Sequence, residues 1–181
     1  LAMDTSGPCA SVALMQDGVI THEETARHGL THSQTVLPMA ERALECAGLQ
    51  PKDVNLFACA VGPGSFTGVR IGVTTVKALA HSVGARCIGV DALEALAYGA
   101  CGFNGTLAPM FDARRSQVYA AAFKGGAEFN RIGDDVAAPL EEFVNALPEG
   151  EVMFMGDGAD ANRARILALR PDARFAPAHM N

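Results

Sequence analysis

The residues best placed to do chemistry stand in one glycine-rich stretch, Gly62-Pro63-Gly64-Ser65-Phe66-Thr67-Gly68-Val69-Arg70-Ile71-Gly72. An apolar run, Leu56 to Val61, leads into it, and a proline-free segment, Thr67 to Val83, leads out. In that setting Gly62-x-Gly64-x-x-x-Gly68, with Asp91 closing the next strand, has the form of a loose dinucleotide fingerprint. Backbone N–H groups at a helix N-terminus would then hold a phosphate. The same glycines also suit a tight structural turn, with Ser65 or Thr67 capping the helix. On the first reading Gly62, Gly64, Ser65, Thr67, Gly68 and Arg70 are a phosphate loop; on the second they shape the chain. The stretch is neither a P-loop, because no Lys-Ser/Thr follows the glycines, nor a nucleophile elbow, because G-x-S-x-G is absent.

Other candidates are weaker. His28-Gly29-Leu30-Thr31-His32 has metal-compatible spacing if helical, but Gly29 and a Thr31 cap favour a loop with ordinary histidines. Asp4 and Asp112 each close a strand and could face one another across an interdomain cleft. Gly156-Asp157-Gly158 is the one candidate for a second glycine loop. Arg70, Lys77 and His81 share a helical stripe, which reads as a solvated face or as a phosphate contact.

These residues need elements to position them. Leu56 to Val61, the loop, Thr67 to Val83 and the strand Arg86 to Val90 make a βαβ unit, the seed of a parallel sheet. Ahead of it lies an antiparallel meander: Leu1 to Asp4, Cys9 to Met15, the Asp17-Gly18 turn, and Val19 to Ala26. Because a dinucleotide fingerprint ordinarily sits on a leading strand, this meander weighs against that reading. Thr31 to Gly48 is a helix, with Gly48 at its C′ position.

Both helices carry surplus apolar surface. On the first, Val36, Leu37, Met39, Ala40, Ala43, Leu44, Cys46 and Ala47 spread over roughly half the circumference, where one stripe against a sheet needs only about 100°. On the second, Val69, Val73, Val76, Leu79, Ala80 and Val83 form one face, and Ile71, Thr75, Ala78 and Ser82 another. The extra faces either pack on each other or receive a partner.

After a third helical stretch, Asp91 to Ala100, the pattern restarts. Thr106 to Asp112 repeats Leu1 to Asp4, Gln117 to Phe123 repeats Cys9 to Met15, and Arg114-Arg115-Ser116 replaces Gly7-Pro8, an internal repeat of about 108 residues. Pro139 to Leu147 then reads as a helix, Glu151 to Met155 as a strand, Gly156 to Gly158 as a loop and Ala159 to Leu169 as a helix. Two copies of one unit imply two similar α/β domains, 1–103 and 104–181.

Composition bounds the function. The chain has 181 residues, 49% hydrophobic and 19% charged, enough for a proper core. A net charge of −6 argues against an autonomous nucleic-acid binder, though an acidic chain can touch RNA inside a complex. No apolar run is long enough to span a bilayer. Five scattered cysteines without CxxC spacing read as reduced thiols of a cytoplasmic protein. A start at Leu1, already inside a strand, and an uncapped end at Met180-Asn181 suggest a partial chain.

Met3-Asp4-Thr5-Ser6, His32-Ser33-Gln34-Thr35-Val36-Leu37-Pro38 and the Gly62–Gly72 motif together closely resemble the TsaB (YeaZ) family. The resemblance covers about the first 125 residues well and the remainder loosely. It implies an actin-like ATPase (ASKHA, ribonuclease H-like) fold of two similar domains, each a mixed sheet flanked by helices, the second incomplete. It implies a scaffold role, without catalysis, in making threonylcarbamoyladenosine at adenosine 37 of tRNA. The implied partners are a TsaD-like catalytic subunit and a TsaE-like ATPase, with a homodimer when alone, tRNA met only through the complex, and no membrane. ATP or ADP and the metal are expected on the partner subunits. Docking is expected through Ser33, Val36, Leu37, Met39, Ala40, Ala43 and Leu44 of the first helix, and Ile71, Thr74, Thr75, Ala78 and Ser82 of the second. The catalytic relative carries a His-x-x-x-His metal pair after the strand matching Arg86–Val90; here Val90 to Leu96 holds no histidine. The competing class is an enzyme, an ATP-binding phosphotransferase of this fold or the metallopeptidase implied by the family's former M22 label.

Overall fold

The computed structural model describes residues 1–27, 29 and 31–180, with nothing described of the His179 side chain. Contacts divide the chain into two units, Leu1–Ala92 and Leu93–Asn181. The division falls ahead of the Phe103 boundary read from the sequence. The reason is packing: Leu93, Ala97 and Ala100 are buried with Leu107, Phe123 and Met155.

The first unit runs β1 (Ala2–Asp4), β2 (Ala10–Gln16), β3 (Val19–Ala26), α1 (His32–Cys46), β4 (Leu56–Ala60), α2 (Phe66–Val83) and β5 (Arg86–Val90). Its sheet has the order β3-β2-β1-β4-β5. The first three strands pair antiparallel, while β1/β4 and β4/β5 are parallel. Meander followed by βαβ is what the turn residues and apolar runs dictate. Asp17 and Gly18 both take positive φ, 51° and 80°, the type I′ turn that matches strand twist. Met3, Val12, Leu14, Phe57 and Cys59 point to the side where α1 and α2 supply Val36, Met39, Ala40, Ala43, Leu44, Val76 and Ala80. The strand β5 is exposed along its whole length as an edge.

The second unit runs α3 (Ala92–Tyr98), β6 (Thr106–Arg114), β7 (Gln117–Lys124), β8 (Asn130–Pro139), α4 (Leu140–Ala146), β9 (Val152–Met155), α5 (Asp157–Ala161), α6 (Arg163–Leu169) and β10 (Arg174–Phe175). Its sheet order, β10-β9-β6-β7-β8, repeats the first when read in reverse. The repeat extends to single atoms. Asp4 Oδ1 accepts the Ser6 N–H at 2.7 Å, and Asp112 Oδ1 accepts the Arg114 N–H at 2.8 Å, one local turn built twice.

Three sequence expectations change here. Gly156-Asp157-Gly158 is not a free loop: Gly156, at φ 90°, is the N-cap and Asp157 begins α5. The single helix expected over Ala159–Leu169 is two, broken at Asn162, whose Nδ2 donates to the Gly158 carbonyl at 2.9 Å and so competes with the helical ladder. The strand β8 was not legible, because its Asn-Arg-Ile-Gly-Asp-Asp run lacks alternation and is held by pairing with β7.

Candidate functional site

The glycine stretch is a seam. A Cβ on Gly68 would stand 1.9 Å from the Thr5 carbonyl oxygen, and one on Gly64 would stand 2.5 Å from the Ser6 carbonyl oxygen. Thr5 Oγ1 donates to the Gly68 carbonyl at 2.8 Å, and the Ser65 N–H donates to the Ser6 carbonyl at 2.7 Å. Ser65 caps α2 by accepting the Gly68 N–H at 3.3 Å. The glycines let α2 press onto the turn after β1, and the Ser65 amide that a phosphate would use is already engaged. This is the packing that the structural-turn reading asks of Gly64, Ser65 and Gly68, while Gly62 takes the positive φ, 104°, that the turn before them needs. The remaining two members of that set, Thr67 and Arg70, face elsewhere.

They line a cleft between α1 and α2 of about 450 Å³. From α1 it takes Ser33, Val36 and Leu37; from α2 it takes Thr67, Arg70, Ile71, Thr74 and Thr75. Both sets are single helical stripes, i, i+3, i+4 on α1 and i, i+3, i+4, i+7, i+8 on α2. That periodicity is available in the sequence, where Thr67 and Arg70 instead read as part of a phosphate loop and Arg70 also as part of a helical stripe with Lys77 and His81. The Arg70 guanidinium sits 5.1 Å from the ring centre of Phe66, which is itself exposed. Hydroxyls, aliphatic groups and one guanidinium suit the cleft to packing and directional hydrogen bonding with a macromolecular surface.

The rest of the expected docking set divides. Met39, Ala40, Ala43 and Leu44 lie in the core, cover their own sheet and are corrected to core residues; Val36, at 1% exposure, is packed in the same core and forms the floor of the cleft. Leu37, at 41%, points outward. Ile71 and Thr75 are half-buried, while Ser33, Thr74, Ala78 and Ser82 are exposed. Much of the apolar surplus on α1 is therefore spent inside the unit, where α1 lies against β2 and β3 and touches α2.

The other candidates resolve locally. His28 lies outside the described residues; His32 Nε2 is 2.9 Å from the Gly7 carbonyl oxygen. Among the described residues no three His, Cys, Asp or Glu side chains gather as metal ligands do. Asp157 Oδ1 accepts the Asp112 N–H at 3.4 Å, and burial pushes its carboxyl above the usual carboxylate range despite the backbone N–H groups that oppose the shift. Arg70, Lys77 and His81 are all exposed on α2. No helix among the described residues is long and apolar enough to cross a membrane.

With this geometry the chain can be set beside known proteins. The family model described as "TsaD: tRNA N6-adenosine threonylcarbamoyltransferase" matches residues 13–160. The "tRNA threonylcarbamoyladenosine biosynthesis protein TsaB" of Bacillus subtilis is 34% identical over 170 residues, 92% of this chain and 74% of the relative. The protein of the same name from Escherichia coli is 34% identical over 189 residues, 98% of this chain and 81% of the relative. Among solved structures, "YeaZ from Pseudomonas aeruginosa" superposes with a TM-score of 0.83 at 27% identity, covering 98% of this chain and 83% of that one. The ethanolamine utilization protein EutJ from Carboxydothermus hydrogenoformans shares the fold alone, with a TM-score of 0.55 at 9% identity over 96% of this chain and 83% of that one.

Proposed function

The chain belongs to the TsaB (YeaZ) family and has its two-domain actin-like ATPase fold, and from that premise we propose that it is a non-catalytic scaffold subunit in tRNA threonylcarbamoyladenosine biosynthesis. The observation that carries the reading is the α1–α2 cleft, with Leu37 standing out of it and hydroxyls along both walls. A TsaD-like catalytic subunit docks there by laying its own helices against α1 and α2, burying roughly 1,200–2,000 Å². A TsaE-like ATPase joins that pair, and tRNA is met through the assembly. ATP or ADP and the metal are held by the partners. Without a partner the same cleft pairs with a second copy, because a self-complementary helical patch closes as a two-fold dimer. The assembly works in the cytoplasm.

The residues of this chain contribute shape and position. Ser65 and Gly68 fix α2 to the turn after β1, so the stripe of Thr67, Arg70, Ile71 and Thr74 is presented on a rigid element. The test is Leu37→Glu with the TsaD-like subunit on a sizing column. Leu37→Glu is expected to abolish co-elution while the chain keeps its melting temperature, whereas Val36→Glu would place a charge in the core and unfold it. Co-elution of the Leu37→Glu protein would refute the docking assignment.

A further inference from the structure

The two sheets open with hairpins of the same geometry but different chemistry. Between β2 and β3 the type I′ turn is Asp17-Gly18. Between β6 and β7 the register pairs Arg114 with Gln117, so the two-residue turn is Arg115-Ser116, with φ of 49° and 62°. Arg114, at the bulge before it, also has positive φ, 65°. Three consecutive residues with a Cβ therefore hold the left-handed conformation that Asn or Gly adopts at far lower cost. A turn needed only to reverse the chain would not require this.

The side chains held there share one property. Arg114, Arg115, Ser116 and Gln117 are all exposed, and all present hydrogen-bond donors. Every other arginine of the second unit is engaged. Arg131 pairs with Glu94 and Asp135, Arg165 with Glu141 and Arg174 with Glu151; Arg170 donates to the Pro148 carbonyl, and Arg163 stacks on Phe175. Among the described residues Arg114 and Arg115 have no carboxylate, carbonyl or ring partner for their guanidiniums. Asp112 beside them is tied to the Arg114 backbone N–H. Two adjacent unpaired forks, a hydroxyl and an amide, with no aliphatic or aromatic side chain among the four, fit phosphate oxygens better than a protein surface.

We propose that the β6–β7 turn is a phosphodiester-backbone contact through which this chain grips tRNA within the assembly, an inference that rests on the proposed scaffold role. The test titrates unmodified tRNA against the assembly of this chain with its TsaD-like subunit, by fluorescence anisotropy over a range of salt concentrations. Arg114→Gln/Arg115→Gln is expected to weaken binding about tenfold near physiological salt and to make the slope of log Kd against log salt shallower by about 1.5 to 2. Arg114→Lys/Arg115→Lys should keep the slope. Arg115→Asn/Ser116→Gly, which relaxes the turn, should raise the melting temperature yet make the slope shallower by about 1. An unchanged slope in both the glutamine and the Asn-Gly variants overturns the proposal and leaves the scaffold role standing. Loss of co-elution with unchanged tRNA affinity also overturns it, because the turn would then be a protein contact. A wild-type chain that fails to associate with the TsaD-like subunit overturns the scaffold role and this inference with it.

Discussion

At the scale of single residues, the positions that matter most are those where a small change has no room to relax. Gly68 is one. Its missing Cβ would meet the Thr5 backbone at 1.9 Å, and a main-chain carbonyl cannot swing aside as a flexible side chain can. Gly68→Ala is expected to cost about 3 kcal/mol, the upper end of overpacking effects, read as a lower midpoint in urea unfolding. Asp157 gives a pH signature. Burial raises its folded-state pKa, so the folded chain holds that proton more tightly than the unfolded chain does. Stability from this group is therefore greatest below the ordinary carboxylate range and falls as pH rises from there through the raised folded value. Asp157→Asn should remove that slope from a series of urea titrations across the acid range; an unchanged slope would show that the carboxyl does not titrate as assigned.

Between residue and molecule stand the elements, and α2 is the one on which the first unit turns. It begins at a Ser65 cap and ends at Gly84 in the left-handed conformation, φ 69°. Between these stops one face packs Val76 and Ala80 into the core while the opposite flank lines the cleft. Ser65→Ala is expected to destabilise the chain by about 1 kcal/mol, and Ser65→Gly by only a few tenths, because glycine solvates the exposed N–H groups better. Urea denaturation followed by circular dichroism separates the two. The helix α1 is joined to the sheet at its outer edge by Arg42, which donates to Glu24 of β3 and holds that carboxyl below its usual range. The pair is exposed, so its removal should alter stability little.

For the whole molecule, the net charge sets what the isolated chain does near a polyanion. A net charge of −6 repels a polyanion at long range, and two arginines on one turn cannot reverse that field. The isolated chain is therefore expected to leave the mobility of tRNA unshifted in a native gel near 0.15 M salt, an ionic strength at which screening weakens the few favourable contacts. Retention of tRNA by the chain alone would contradict this balance. The actin-like ATPase fold is duplicated here, each unit a mixed sheet built from one meander and one set of crossovers.

The sequence by itself determined the local and the periodic: the Asp-Gly hairpin, the βαβ unit, the helix stop at Gly48, and the duplication that gives Asp4 and Asp112 the same local turn, one in each unit. These depend on residues close together along the chain, where spacing maps directly onto geometry. Which apolar residues of α1 face inward was decided only by tertiary packing. Val36 and Leu37 are adjacent, equally oily and both line the cleft, yet Val36 is packed against the sheet at its floor while Leu37 stands out into solvent. The same holds for the glycine stretch, whose two readings differ only in what lies against it. It was the turn after β1, some sixty residues away in sequence, that came to lie against Gly64 and Gly68.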